Sequence, residues 1–136
     1  MGPVYTPTSG IRRFLSGTPA VTAMLAVSDM VDLLEEVGIA AVREKSLGLT
    51  ELTIALADER LAELGVSVAS PREPSWRGGH VTLHHPEMQR VVASLWEQDV
   101  IPDYRDPGGL RVGLSPLSTS YDEVERGIAA IRAQLA

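Results

Sequence analysis

The chain contains no cysteine in its 136 residues. Disulfide bonds, thiolate metal sites and thiol catalysis are therefore excluded, and the composition fits a reducing compartment. Positive charge is also scarce, since 12 Lys and Arg stand against 18 Asp and Glu and give a formal net charge of −6. Because nucleic-acid binding needs clustered basic residues that displace counterions, we expect no nucleic-acid partner.

Long apolar runs are absent as well. Asp or Glu interrupts each hydrophobic stretch well before the roughly 20 residues that a membrane helix needs. The first residues lack the charged-then-apolar pattern of a signal peptide. We therefore expect a cytoplasmic protein without a membrane segment, and its length and 44% hydrophobic content allow one packed domain.

The N-terminal part of the chain predicts a linker followed by two helices. Residues 1–17 are rich in Pro, Gly and hydroxyl side chains, so we expect an extended interdomain segment there and a small domain over residues 18–136. Thr18 is a suitable N-cap and Pro19 a suitable first helical residue. Apolar spacing predicts one helix up to Gly38 and a second over residues 39–64.

The remainder alternates short strands with helices. Residues 66–69 and 80–84 predict an antiparallel pair, and residues 100–101 and 110–112 predict two further strands. A third helix is expected between Pro86 and Asp99, and Ser120 and Glu123 have the spacing of a capping box that opens a last helix. The resulting class is α+β, a small sheet of about four mainly antiparallel strands covered by helices.

Arg111 is the most informative single residue. It lies in a short apolar run, where a permanently charged guanidinium is costly unless an anion pairs with it. Its planar fork of donors matches a carboxylate two bonds at a time, which favours an acidic ligand. A structural ion pair with one of the chain's own Asp or Glu residues explains the same pattern, so both interpretations stay open.

Two other groups of residues could bind ligands. His80 and His84 would share one face of a strand beside His85, but no third ligand has a suitable spacing, so a polar strand face is the favoured interpretation and we expect no metal. Gly17 and Thr18 precede a helix, where exposed backbone N–H groups could receive a phosphate. Simple helix capping is the favoured interpretation of that second pattern.

Six short motifs follow one another in a fixed order along the chain: GIRRFLSGTP at residues 10–19, LGLT at 47–50, SPRE at 70–73, RGGHV at 77–81, VIPDYR at 100–105 and LRVGLSPL at 110–117. This ordered series resembles the C-terminal portion of kynureninase over nearly the whole chain. The resemblance implies the small domain of the aspartate-aminotransferase-type pyridoxal-phosphate fold. It covers roughly the last third of a family member, and Ser118 departs from it because relatives commonly have an aromatic residue there.

The resemblance implies that full-length relatives hydrolyse L-kynurenine, or its 3-hydroxy derivative, to anthranilate and L-alanine in tryptophan catabolism. Arg111 then matches the residue that holds the substrate α-carboxylate. Thr18 matches a position that contacts the cofactor phosphate across the interface of a homodimer, with Gly17 allowing close backbone approach. These roles imply pyridoxal phosphate as the cofactor of the full-length enzyme.

Covalent attachment of that cofactor needs a lysine amine. The chain has one lysine, Lys45, in a predicted helix that matches a noncatalytic part of the family, so this chain supplies no catalytic residue. We therefore expect the isolated chain to be inactive without the missing large domain, which holds most of the cofactor contacts. A noncatalytic module that binds an amino acid through Arg111 is the alternative.

Overall fold

The computed structural model describes residues 6–15 and 17–136, which form two compact units. The first unit ends at Gly38 and the second extends from Ile39 to Ala136. The expected boundary between residues 17 and 18 falls inside the first unit and stays a prediction. Ser16, which directly precedes the proposed phosphate contacts Gly17 and Thr18, lies outside the described residues.

The first unit consists of a 3-10 turn at Gly10–Phe14 and helix α1 at Val21–Val37. The expected N-cap at Thr18 is wrong, because Ala20 has ψ 80°, outside the helical range, and the helix begins only at Val21. No side chain caps this helix. The apolar residues of α1 are largely exposed, among them Met24, Leu25 and Val27.

The second unit contains three helices and four strands. In chain order they are α2 (Ile39–Arg60), β1 (Ser67–Val68), β2 (His80–His84), α3 (Met88–Trp96), β3 (Asp103–Arg105), β4 (Gly109–Gly113) and α4 (Tyr121–Leu135). Short 3-10 turns lie at Ala62–Leu64 and Pro74–Trp76. Among the described residues, no helix is both long and apolar enough to cross a membrane.

The four strands form one sheet in the order β1-β2-β4-β3, with every neighbouring pair antiparallel. This confirms the predicted α+β class and the antiparallel pairing of the first two strands. The strand expected at residues 100–101 is wrong. The Val100 N–H bonds back to the Leu95 carbonyl at the end of α3, and pairing with β4 starts at Asp103.

The hydrophobic core lies between the sheet and the helices α2, α3 and α4. Its fully buried members come from all of these layers and include Leu49, Leu83, Leu95, Leu110 and Ile128.

The predicted capping box at the start of α4 is confirmed, since the Ser120 hydroxyl accepts from the Glu123 N–H and the Glu123 carboxylate accepts from the Ser120 N–H.

Candidate functional site

Alternation along the strands gives the sheet one apolar face and one polar face. Val81, Leu83 and Leu110 are fully buried in the core. Their sequence neighbours project to the opposite side, because successive side chains of a strand alternate. We call this side the polar face, and it carries His80, Thr82 and His84 of β2, Arg111 of β4, and Asp103 and Arg105 of β3.

Arg111 lies near the middle of the polar face. In the sheet register it stands between Thr82 on β2 and Asp103 on β3. Its Nε donates to Asp103 Oδ1 at 3.1 Å and its Nη2 donates to Asp103 Oδ2 at 2.6 Å. The structural ion pair that the sequence left open for Arg111 is therefore present, as a bidentate, charge-assisted pair along one edge of the guanidinium.

The same pair leaves another edge of the guanidinium available. A guanidinium has five N–H donors, and Asp103 accepts from one on Nε and one on Nη2. Within residues 39–136, Nη1 has no protein acceptor. We call the side formed by Nη1 and Nη2 the open edge. The Arg111 side chain is 36% exposed, so a second carboxylate can reach this edge from solvent.

Asp103 connects two arginines. Its Oδ2 also accepts from Arg105 Nη2 at 2.7 Å. Desolvation acts to raise the pKa of Asp103, but the hydrogen bonds and charges of Arg111 and Arg105 outweigh it and hold the pKa below its ordinary value of 3.8. The carboxylate is therefore ionised at neutral pH. The Arg111–Asp103–Arg105 cluster carries one net positive charge.

The turn between β3 and β4 fixes the position of this cluster. The Tyr104 hydroxyl donates to Asp106 and accepts from the Gly108 N–H, both at 3.1 Å. Gly108 has a φ of 66°, in the left-handed region that glycine adopts without strain. These contacts order the hairpin, so Asp103 and Arg111 face each other although eight positions separate them in sequence.

The histidines and the phosphate motif are not part of the cluster. His80 and His84 lie on the polar face as predicted, but no three His, Asp or Glu side chains in the described part of the chain are arranged to hold a metal. Gly17 and Thr18 belong to the first unit, and Thr18 is exposed. A Cβ placed on Gly17 would meet no described atom within 4 Å, so packing within the described residues does not require a glycine there.

A cavity of about 490 Å³ lies on the other side of β4. It is lined by apolar residues of β4 and α4, including Val112, Val124 and Ile131, and by Ser118 in the preceding loop. Arg111 and Asp103 do not line it. Ser118 thus lies beside an open space, at the position where an aromatic side chain is expected from the resemblance.

Comparison with known proteins gives a consistent result. The kynureninase C-terminal domain family matches residues 42–131, a range that includes the whole cluster. Kynureninase from Pseudomonas fluorescens is 40% identical over 124 residues, which are 91% of this chain and 30% of that protein. Kynureninase from Deinococcus radiodurans is 37% identical over 135 residues, 99% of this chain and 33% of that protein. The chain belongs to the kynureninase family.

The chain spans about a third of the length of these kynureninases. A solved structure of cysteine desulfurase from Thermococcus onnurineus NA1 has the same fold, with a TM-score of 0.75 and 21% identity over 96% of this chain and 35% of that one. The expected membership of the kynureninase family and the expected fold are both confirmed.

Sequence reasoning missed Asp103 and Arg105 as members of the Arg111–Asp103–Arg105 cluster. The predicted strand began three residues too early, at Val100 and not at Asp103, because Val100 and Ile101 have strong β propensity. The useful signal was the turn sequence Asp106-Pro107-Gly108, which is flanked by residues that alternate in polarity. Pairing outward from that turn would have placed Asp103 opposite Arg111.

Proposed function

We propose that this chain is the C-terminal part of a kynureninase, the pyridoxal-phosphate hydrolase that converts L-kynurenine, or its 3-hydroxy derivative, to anthranilate and L-alanine. The observation that carries the proposal is the open edge of Arg111, presented on the polar face of a domain whose sequence matches this family. A planar donor pair held in one orientation is suited to binding a substrate carboxylate.

In this proposal Arg111 receives the α-carboxylate of the amino-acid substrate. A charge-assisted bond to a carboxylate contributes about 1.5–3 kcal/mol, and two parallel bonds also fix the orientation of the ligand. The cluster has one net positive charge before substrate arrives, so it attracts the carboxylate. The side chain orients the substrate and does not take part in bond cleavage.

Thr18 and Gly17 are the proposed contacts to the cofactor phosphate. Their exposure and the open space around Gly17 fit the approach of a group from outside the described chain. Pyridoxal phosphate, when bound, supplies the electron sink for the cleavage. The single lysine, Lys45, lies in α2 and not on the polar face of the sheet, so we propose that the isolated chain is inactive.

The proposed partners are a large domain that bears the catalytic lysine and a second copy of the enzyme in a homodimer. Support comes from the fraction of each relative that the chain spans, about a third. Further support comes from α1, whose apolar side chains Met24, Leu25 and Met30 are between 49% and 62% exposed. A helix of this composition gains stability when another surface covers it. We also propose a cytoplasmic location, which agrees with the absence of cysteine.

A chimeric enzyme tests the proposal. In it, this chain replaces the aligned C-terminal segment of the Pseudomonas fluorescens kynureninase, and L-kynurenine hydrolysis is measured with added pyridoxal phosphate. We expect hydrolysis by the chimera and none by the isolated chain, which should also show no absorption band of a lysine-bound cofactor. Hydrolysis by the isolated chain would refute its proposed inactivity. A folded but inactive chimera, together with kynurenine binding by the isolated chain, would favour the noncatalytic module.

A further inference from the structure

We propose that Asp103 is a positioning residue, which holds the Arg111 guanidinium so that its open edge meets the substrate carboxylate. This inference rests on the proposed function of Arg111. In this proposal Asp103 touches neither substrate nor cofactor and acts through its contact with Arg111. The basis is the geometry of the Arg111–Asp103–Arg105 cluster on the polar face of the sheet.

The first argument is the edge that Asp103 occupies. The carboxylate bonds to Nε and Nη2, so it lies to the side of the guanidinium, and the open edge keeps Nη1 and one hydrogen of Nη2. If Asp103 had bonded to Nη1 and Nη2, its carboxylate would have occupied the open edge itself. The observed pair leaves the open edge free and also fixes the plane of the Arg111 guanidinium.

The second argument is the backbone that supports Asp103. Directly opposed residues on antiparallel strands have Cβ atoms about 4.5–5.5 Å apart, so two side chains on one face meet without long flexible reach. Asp103 is short and stands directly opposite Arg111 in the register. Arg111 has a long side chain whose rotamers cost entropy to fix on binding. A partner that fixes them beforehand lowers that cost.

The third argument concerns charge. The Asp103 carboxylate on its own would repel a substrate carboxylate, but Arg105 bonds to the same Oδ2 and offsets its charge. Simple electrostatics predicts that removing the negative charge of Asp103 would tighten carboxylate binding. Loss of the ordered guanidinium predicts weaker binding. The two effects have opposite signs, so one substitution distinguishes a positioning residue from a competing ion-pair partner.

The test compares Asp103→Asn with the unsubstituted protein by two measurements. In the full 136-residue chain, ¹⁵N relaxation of the Arg111 Nε–Hε group reports the order of the guanidinium. In the chimeric enzyme, KM and kcat are measured for L-kynurenine. We expect a clear loss of order, a rise in KM of about tenfold and a kcat that changes by less than about twofold. Asp103→Glu keeps the charge and should restore part of both properties.

Asp58→Asn is the matched control, because Asp58 accepts a bidentate pair from Arg72 at 2.6 and 2.8 Å on the exposed surface. It should leave both readouts unchanged. An unchanged or lower KM in Asp103→Asn, or an equally ordered Arg111, would overturn the positioning role. If Arg111→Lys also leaves KM unchanged, or the chimera is inactive, the proposed function itself fails. An effect of Arg111→Lys without an effect of Asp103→Asn would refute only the inference.

Discussion

Gly109 lies so close to Arg105 that no side chain fits between their strands. A Cβ placed on Gly109 would be 2.8 Å from the Arg105 carbonyl oxygen and 3.2 Å from its Cβ. Real Cβ atoms essentially never approach this closely, and a backbone carbonyl in a sheet cannot move aside independently. The spacing of β3 and β4, and with it the contact between Asp103 and Arg111, depends on the missing side chain.

Gly109→Ala should therefore destabilise the protein by about 1–3 kcal/mol, because overpacking forces the two strands apart. Gly113→Ala is the control at the other end of β4, where a Cβ would meet no described atom within 4 Å. Its free energy of unfolding should change by less than about 0.5 kcal/mol. Urea denaturation of both variants measures the difference. Equal stabilities would show that the sheet absorbs the methyl group at no cost.

Arg111→Lys should raise the KM of the chimeric enzyme for L-kynurenine by at least about tenfold, equivalent to about 1.4 kcal/mol. Lysine keeps the charge but lacks the planar fork, so bidentate orientation is lost. Because the Arg111 side chain is 36% exposed, we expect little change in thermal stability. Arg72→Lys, in the exposed pair with Asp58, is the control and should leave KM unaltered. Unaltered KM in Arg111→Lys would remove this side chain from the substrate site.

Acid should destabilise the protein through its paired carboxylates. The pKa of Asp103 is held below 3.8, because two arginines outweigh desolvation, and the pKa of Glu123 is held below 4.5 mainly by its hydrogen bonds to the Ser120 backbone and hydroxyl. The unfolded chain therefore binds protons more readily than the folded one at acidic pH. Glu123 therefore contributes its full stabilisation above pH 4.5, and Asp103 does so above pH 3.8. These contributions are lost as the pH falls through the lowered pKa values of the folded state.

Denaturant titrations across this acidic range should show a falling free energy of unfolding. Asp103→Asn should have a shallower fall than the unsubstituted protein, because it removes one of these carboxylates. Superimposable acid slopes for the two proteins would contradict the contribution of Asp103.

Arg77 is a buried arginine with a structural role. Its side chain is 1% exposed, and its Nη1 donates to the carbonyls of Pro71 and Arg72 at 3.3 and 2.7 Å. Arg77→Ala should cost about 2–4 kcal/mol, because it removes these bonds and leaves a cavity. Arg126→Ala removes an arginine that is 70% exposed and should cost less than about 1 kcal/mol. Similar melting temperatures for the two variants would refute this role of Arg77.

The starts of α1 and α4 predict different responses to the loss of a nearby hydroxyl. Ser120→Ala removes a capping box and should cost about 1 kcal/mol. Thr18→Ala should leave stability nearly unchanged, because α1 begins at Val21 and Ala20 is its N-cap. Thermal unfolding of both variants provides the comparison. A loss in Thr18→Ala as large as that in Ser120→Ala would contradict the observed helix start.

Local patterns predicted most of the fold. The capping-box spacing at Ser120 and the alternation in His80–His84 were confirmed, because each depends on interactions among residues close in sequence. The same reasoning was wrong at Thr18 and at Val100-Ile101. The helix starts later than its best capping residue, and the strand starts where the chain pairs with β4 and not where β propensity is highest.

The sequence by itself determined the α+β class, the resemblance to kynureninase and the choice of Arg111, because apolar periodicity and ordered motifs are properties of the linear chain. Only the tertiary structure decided what Arg111 contacts. Its bonds to Asp103 and the shared bond to Arg105 depend on how β3 and β4 align across their turn, to within one residue. A shift of one position would send Asp103 to the opposite face of the sheet, and no local pattern specifies that register.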